Sequence, residues 1–165
     1  MKTLLLMRHG KSSWKDESLE DFDRPLKKRG RHDVPRMAEM MREECLIPDY
    51  VLASPAVRCR ETVELLAENL DLDDDMIEYV EEFYQAEMDD YLDTLIDVVD
   101  SFMKVMIVGH NPTLEALLQT LTGEIEPLPT SAVACVKLGI SSWEELEGDS
   151  EEVGQLVDVW RPKEM

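Results

Sequence analysis

The sequence predicts an α/β domain with a largely parallel sheet covered by helices, and three observations predict it. Short, continuously apolar runs alternate along the chain with longer segments whose apolar residues recur at helical spacing. The apolar runs end in small, polar or charged residues suited to strand ends and helix starts. No internal repeat or low-complexity linker interrupts the alternation. At 165 residues the chain should bury roughly 68–70% of its unfolded surface, enough for one domain spanning residues 1–165 around a real core.

The elements follow in order. Thr3-Leu4-Leu5-Leu6-Met7 reads as a buried central strand ending at Arg8-His9-Gly10, and a charged polar loop runs on to Arg24-Pro25. From about Lys27 to Cys45, Met37, Ala38, Met40 and Met41 recur at helical spacing, with Gly30 and Pro35 blurring the start. Tyr50 to Ala53 is a second buried strand, after which Ser54 offers an N-cap and Pro55 a first helical residue. That helix should reach Leu70, with Val63, Leu66 and Leu70 on its buried face, Leu65 beside them, and Glu61, Glu64 and Glu68 solvated. Asp71 to Asp75 is a loop, Ile77 to Phe83 a strand, and Met88 to Phe102 an amphipathic helix burying Leu92, Leu95, Ile96 and Val99. Lys104 to Val108 is a third apolar strand ending in Gly109-His110-Asn111-Pro112, where Asn111 is the expected N-cap of a helix from Thr113 to Leu121 closed by Gly123. Ala132 to Leu138 and Gln155 to Trp160 are two last strands, paired antiparallel across an exposed acidic loop containing Glu144, Glu145, Glu147 and Asp149.

Composition narrows the function. Lys and Arg number 17 against 37 Asp and Glu, a formal net charge of −20 that repels nucleic acid and anionic membrane. The bland reading of that charge is solubility. Hydrophobic residues at 44% and charged residues at 33% argue against disorder. No apolar run approaches the roughly 20 residues of a membrane helix, and the opening MKTLLLM is too short for a signal peptide, so the cytoplasm is the expected location. Cys45, Cys59 and Cys135 form neither a disulfide framework nor a zinc pattern and are expected as reduced thiols.

Arg8-His9-Gly10, Ser54 with Arg58, and Gly109-His110-Asn111 all fall at strand ends, where α/β sheets bind ligands and helix N-termini aim N–H groups at anions. Arg8 and Arg58 present the planar donor forks that suit phosphoryl oxygens. A neutral imidazole is a competent nucleophile toward phosphorus near neutral pH, and the G-x-x-x-x-G-K-[ST] pattern is absent, so His9 can carry a phosphoryl group covalently.

Leu6-Met7-Arg8-His9-Gly10 resembles the R-H-G motif of the histidine phosphatase superfamily, whose fold is phosphoglycerate-mutase-like. Ala53 to Thr62 is similar to its S-x-x-x-R-x-x-x-T segment, and Val108-Gly109-His110-Asn111-Pro112 to its third signature. Asp23-Arg24-Pro25-Leu26 with Arg29-Gly30, and Pro129-Thr130-Ser131-Ala132, resemble the small branch containing the phosphohistidine phosphatase SixA. The ordered set covers most of the chain. It implies a three-layer sandwich with a mostly parallel central sheet and an antiparallel C-terminal extension. It also implies His9 as the phosphoryl acceptor, Arg8, Arg58 and Arg24 as phosphate-binding residues, His110 as a second histidine donating to phosphoryl oxygens, and no metal or other cofactor. The general acid many members use has only one positional candidate, Glu82 in a poor motif. The implied substrate is a phosphohistidine on a protein or a small phosphate ester. A phosphohistidine leaves as an imidazole of pKa ~6.5 and needs a dedicated acid less than an alkoxide does. Loops of ordinary length imply an open mouth that suits a protein side chain.

Blander readings stand beside these. His9 alone reads as a hydrogen-bonded histidine at a strand end, His110 alone as a polar loop residue, and His32 as an exposed one. Arg24 alone is a helix-start charge, Arg60 a surface partner for Glu64, Cys59 a buried helical thiol, and the methionines core packing. The alternative function is a non-catalytic phospholigand-binding module that kept the arginine clamp and lost turnover. The pair His9 and His110 argues against it, because a binder needs no nucleophile.

Overall fold

The computed structural model describes residues 1–148 and 150–165. Six strands form one sheet: β1 (Lys2–Arg8), β2 (Tyr50–Ala53), β3 (Ile77–Tyr79), β4 (Lys104–Gly109), β5 (Val133–Leu138) and β6 (Gly154–Trp160). Their order is β3-β2-β4-β1-β5-β6. The first four are parallel, β5 runs antiparallel to β1, and β6 antiparallel to β5, which is the expected mostly parallel sheet with an antiparallel extension. Helices α1 (Lys28–Glu43), α2 (Val57–Leu70), α3 (Met88–Leu95) and α4 (Thr113–Thr122) cover it.

The two faces follow from the period-2 geometry of a strand. Leu4 and Leu6 of β1 point into a core built with α3 and α4 around Leu95, Leu114, Leu118 and Trp143. Leu5 and Met7 point into the opposite core, where α1 contributes Met37 and Met41 and α2 contributes Val63 and Leu66. Both sides of the strand are buried, so the sequence shows a continuous apolar run rather than an alternation. Gly30 sits inside α1 because a Cβ there would lie 2.5 Å from the Lys11 carbonyl oxygen.

Several expectations at element ends are corrected. The first turn of α2 starts at Val57 with Ala56 in the cap position; Ser54 instead continues β2, donating its N–H to the Val108 carbonyl. Pro112, not Asn111, occupies the cap position of α4, because the Asn111 amide is drawn to Glu115 Oε2 and the Leu128 carbonyl, both at 2.8 Å. Strand β3 stops at Tyr79, after which a 3-10 turn over Glu81–Phe83 drops Phe83 edge-on against Tyr91. Helix α3 ends at Leu95, because Asp100 accepts the Trp143 N–H and the Ser142 hydroxyl and pulls the chain aside. Val99, expected in the buried stripe, is therefore 63% exposed. Glu144, Glu145 and Glu147 are exposed as expected, and Asp149 lies outside the described residues. Among the described residues no helix is long and apolar enough to cross a membrane.

Candidate active site

The carboxyl ends of β1, β2 and β4 lie side by side in the sheet order, and backbone hydrogen bonds lace them together. His9 N–H donates to the Gly109 carbonyl at 3.2 Å, and Ser54 N–H to Val108 at 3.0 Å. Ser131, at φ 68, donates its N–H to the carbonyls of both Arg8 and His9. The Gly10 N–H donates to Thr62 Oγ1 at 3.0 Å, and that hydroxyl donates to the Arg58 carbonyl at 2.7 Å. The residue closing the S-x-x-x-R-x-x-x-T segment therefore ties the His9 turn to the first turns of α2. Gly109 is required because a Cβ would lie 2.4 Å from the Tyr91 hydroxyl, which itself accepts the His110 N–H.

This arrangement brings Arg8, His9, Arg24, Arg58 and His110 to one open cavity of about 340 Å³. His9 is 7% exposed. Its Nδ1 lies 2.7 Å from the Gly10 carbonyl oxygen, which only accepts, so the proton sits on Nδ1 and Nε2 keeps its lone pair. Burial, then the charges of His110, Arg58 and Arg8, lower its pKa to about 3 against the one opposing hydrogen bond that it donates to the Gly10 carbonyl. His110 stands with its ring centroid 5.2 Å away. Arg58 Nη2 donates toward His110 Nδ1 at 3.4 Å, so the His110 proton is on Nε2, which donates to Ser54 Oγ at 2.8 Å. Burial and the charges of Arg58 and Arg8 lower its pKa to about 4, against an opposing pull from Asp21.

Asp21, absent from the sequence reading, organises the arginines. Its Oδ1 accepts Arg24 Nη1 at 2.7 Å, its Oδ2 accepts Arg58 Nη2 at 3.1 Å, and its carbonyl accepts Arg58 Nη1 at 2.7 Å. Tyr84 donates its hydroxyl to the same Oδ2 at 2.7 Å. Partial burial alone would raise the Asp21 pKa, but the bonds from Tyr84 and Arg24 and the charge of Arg58 hold it down to about 2. Arg24 also donates to Ser12 Oγ and the Ser13 carbonyl, and its guanidinium lies 3.3 Å from the Trp14 ring centroid. Arg8 donates to the Leu128 carbonyl at 3.3 Å.

Ser12, Trp14 and Tyr84 lie in loops and Asp21 opens a single 3-10 turn, Asp21–Asp23, where hydrophobic periodicity carries no signal. The only local hint was the position of Asp21 three residues before Arg24. Glu82 is not brought to this cavity: the 3-10 turn that buries Phe83 leaves it exposed beside a separate cavity lined by Tyr50 and Glu78. Cys59 is fully buried behind the site, its Sγ 3.6 Å from His110 Nε2, and burial pushes its thiol up to about 12. Among the described residues no three His, Cys, Asp or Glu side chains are grouped to hold a metal ion.

Residues 4–94 match the family model of the histidine phosphatase superfamily, branch 1. The chain belongs to the histidine phosphatase superfamily. An uncharacterized chloroplastic protein of Arabidopsis thaliana is 32% identical over 152 residues, covering 87% of this chain and 70% of that protein. An uncharacterized protein of Mycobacterium leprae is 29% identical over 160 residues, covering 89% of this chain and 96% of that protein. Among solved structures, the candidate phosphohistidine phosphatase SixA of Agrobacterium tumefaciens superposes with a TM-score of 0.82 at 29% identity, covering 98% of both chains. Membership in the histidine phosphatase superfamily supports phosphatase activity.

Proposed function

We propose that this histidine phosphatase superfamily member hydrolyses phosphohistidine on a protein, with small phosphomonoesters as lesser substrates, through a phosphohistidine intermediate on His9 and without a metal. One observation carries the reading: the His9 Nδ1–H is committed to the Gly10 carbonyl, leaving an unprotonated Nε2 with its lone pair free in a cavity lined by Arg8, Arg24 and Arg58. Nε2 attacks phosphorus as the bond from phosphorus to the leaving nitrogen breaks, and the substrate ring, already protonated from solvent on its other nitrogen, departs as neutral imidazole. Water then attacks the phosphoryl group on His9, the P–N bond breaks, and phosphate leaves with Nε2 regenerated. The arginine forks neutralise charge on the phosphoryl oxygens in both steps. An entering phosphate dianion favours the His110 imidazolium, at which point Nδ1 becomes a donor as well.

The choice of substrate class follows from the acid chemistry. The Asp21 carboxylate is held ionised by its partners, and Glu82 faces another cavity. An imidazole leaving group, of pKa ~6.5, departs without a dedicated proton donor far more readily than an alkoxide.

The test is phosphate release in EDTA from a phosphohistidine-bearing protein and from p-nitrophenyl phosphate, comparing the native chain with His9→Ala. The expected result is release from both, faster from the phosphoprotein, abolished by the substitution, with a phosphoryl adduct on His9 seen by mass spectrometry. Preference for the aryl ester would replace the protein substrate with a small molecule. Phosphate binding without release from either would overturn catalysis in favour of the binding module.

A further inference from the structure

A second cavity, larger than the one that holds His9, lies apart from it. It has a volume of about 590 Å³ and runs between the β2–β3 edge of the sheet and α3. Its floor is apolar: Tyr50 and Phe102 stack with ring centroids 4.8 Å apart and planes at 9°, with Leu52, Val98 and the exposed Val99 beside them. Its walls carry Glu78, Glu82, Asp90, Asp93 and Asp97, and among the described residues no cationic side chain lines it. Glu82, Asp93 and Asp97 take part in no ion pair among the described residues. The one-sided charge is written into the sequence: residues 71–103 hold thirteen of the 37 acidic residues and no Lys, Arg or His, so this segment is not part of an evenly mixed surface.

Like charges crowded on both walls of a groove repel one another, and an apolar floor left in water adds to the cost. A cationic segment with an apolar anchor relieves both. A second copy of this chain, carrying the same net charge of −20, does not. The groove also adjoins the active site: the 3-10 turn carries Glu82 on the groove wall, and Tyr84 and Gln85, two and three residues further on, line the His9 cavity.

We infer that this groove docks a Lys/Arg-rich segment bearing an apolar or aromatic anchor, carried by the phosphorylated protein whose side chain enters the His9 cavity. The anchor lies on the Tyr50–Phe102 floor while its cationic neighbours meet the carboxylates of α3 and the 3-10 turn. The docking rests on the protein-substrate reading above, but the groove's own binding is separable from catalysis.

The experiment uses an unphosphorylated eight-residue Lys/Arg peptide with one central Phe, followed by fluorescence anisotropy at physiological salt, where charges are screened over about 8 Å. The full chain should bind it, the Phe→Ala peptide should bind more weakly, and Asp93→Lys with Asp97→Lys should weaken binding about tenfold or more. Hydrolysis of p-nitrophenyl phosphate, which is too small to reach the groove, should continue in that variant and so reports a folded molecule. A second variant, Glu82→Lys, probes the end of the groove nearest the active site and should weaken binding in the same way. Equal binding of the Phe and Ala peptides, or unchanged binding by the variants, would overturn the docking site. Failure of the phosphatase reading shows separately, as absent hydrolysis of both phosphosubstrates with groove binding intact.

Discussion

His9 and His110 face each other with ring centroids 5.2 Å apart and planes inclined at 56°, and each has its proton fixed on a different nitrogen. Nδ1 of His9 serves the Gly10 carbonyl, while Nε2 of His110 serves Ser54. The two rings are thus electronically distinct despite sharing one cavity, one offering a lone pair and the other held between a hydroxyl and a guanidinium.

Both imidazoles are held neutral by burial and by the arginines, at about 3 for His9 and about 4 for His110. In the proposed mechanism neutral His9 is the attacking form, so kcat/KM measured with a substrate of constant charge should show no acid limb near pH 6.5 and should fall only as pH drops through about 4 toward 3. The same shifts act on stability. Free imidazole titrates at ~6.5, so between that pH and the folded-state values the unfolded chain binds protons that the folded chain refuses. Stability is therefore fully present above about pH 6.5 and lost as pH falls, by ~2 kcal/mol from His9 alone between pH 7 and 5. Urea unfolding at the two pH values checks it, and a His9→Ala variant should lose less over the same interval. An unchanged midpoint would show that neither ring is held neutral.

Thr62 offers a structural test of the turn that carries His9. Replacing it with the isosteric Val leaves the Gly10 N–H and the Arg58 carbonyl without this hydroxyl in a fully buried position. The expected loss is ~1–3 kcal/mol in chemical denaturation. Turnover should fall with it because the His9 turn loses its tether, and Thr62→Ser should recover most of both. Equal behaviour of Val and Ser would show that the hydroxyl does not hold the turn.

The sequence carried the framework of this site because its signals are of two robust kinds. Apolar runs buried on both faces located β1, β2 and β4, and the residues immediately beyond them, Arg8-His9, Ser54 and His110, could only lie at one edge of a parallel sheet. Tertiary competition was invisible. Ser54 and Asn111 have good capping chemistry, yet each is taken by another partner, Ser54 by His110 and Asn111 by Glu115 and the Leu128 carbonyl. Helix α3 ends early because Asp100 is recruited by Trp143, 43 residues away. Asp21, Tyr84 and Trp14 were missed because they sit in loops or a single 3-10 turn whose positions depend on contacts with Arg24 and Arg58 rather than on any period. Glu82 was placed by sequence position alone, and a single 3-10 turn sends it to the other side of Tyr84.

Asp21 and Glu82 should therefore separate cleanly in kinetics. Asp21→Asn removes the charge that aligns the Arg24 and Arg58 forks while keeping the side-chain volume, and kcat on p-nitrophenyl phosphate should fall about 10- to 100-fold from misplaced donors. Tyr84→Phe, which deletes one hydrogen bond to the same carboxylate, should cost less. Glu82→Gln should leave kcat on this ester unchanged. A large loss in Glu82→Gln together with silence in Asp21→Asn would reverse the assignment of the site's edge.

The last prediction concerns encounter rather than chemistry. The cavity is locally basic, with Arg8, Lys11, Arg24 and Arg58 against Asp21, but it sits in a molecule of net charge −20. At separations beyond the cavity mouth an incoming phosphate dianion meets the whole-molecule field first, which repels it. Sodium chloride shortens the Debye length from about 30 Å at 0.01 M to about 8 Å at 0.15 M, cutting the long-range repulsion more than contacts inside the cavity. Thus kcat/KM for p-nitrophenyl phosphate should rise roughly a few-fold across that range, with kcat little changed. A cationic phosphopeptide should show the opposite slope, because the same field draws it in. If both substrates slow as salt is added, the arginine cluster governs approach and the acidic exterior has no part in it.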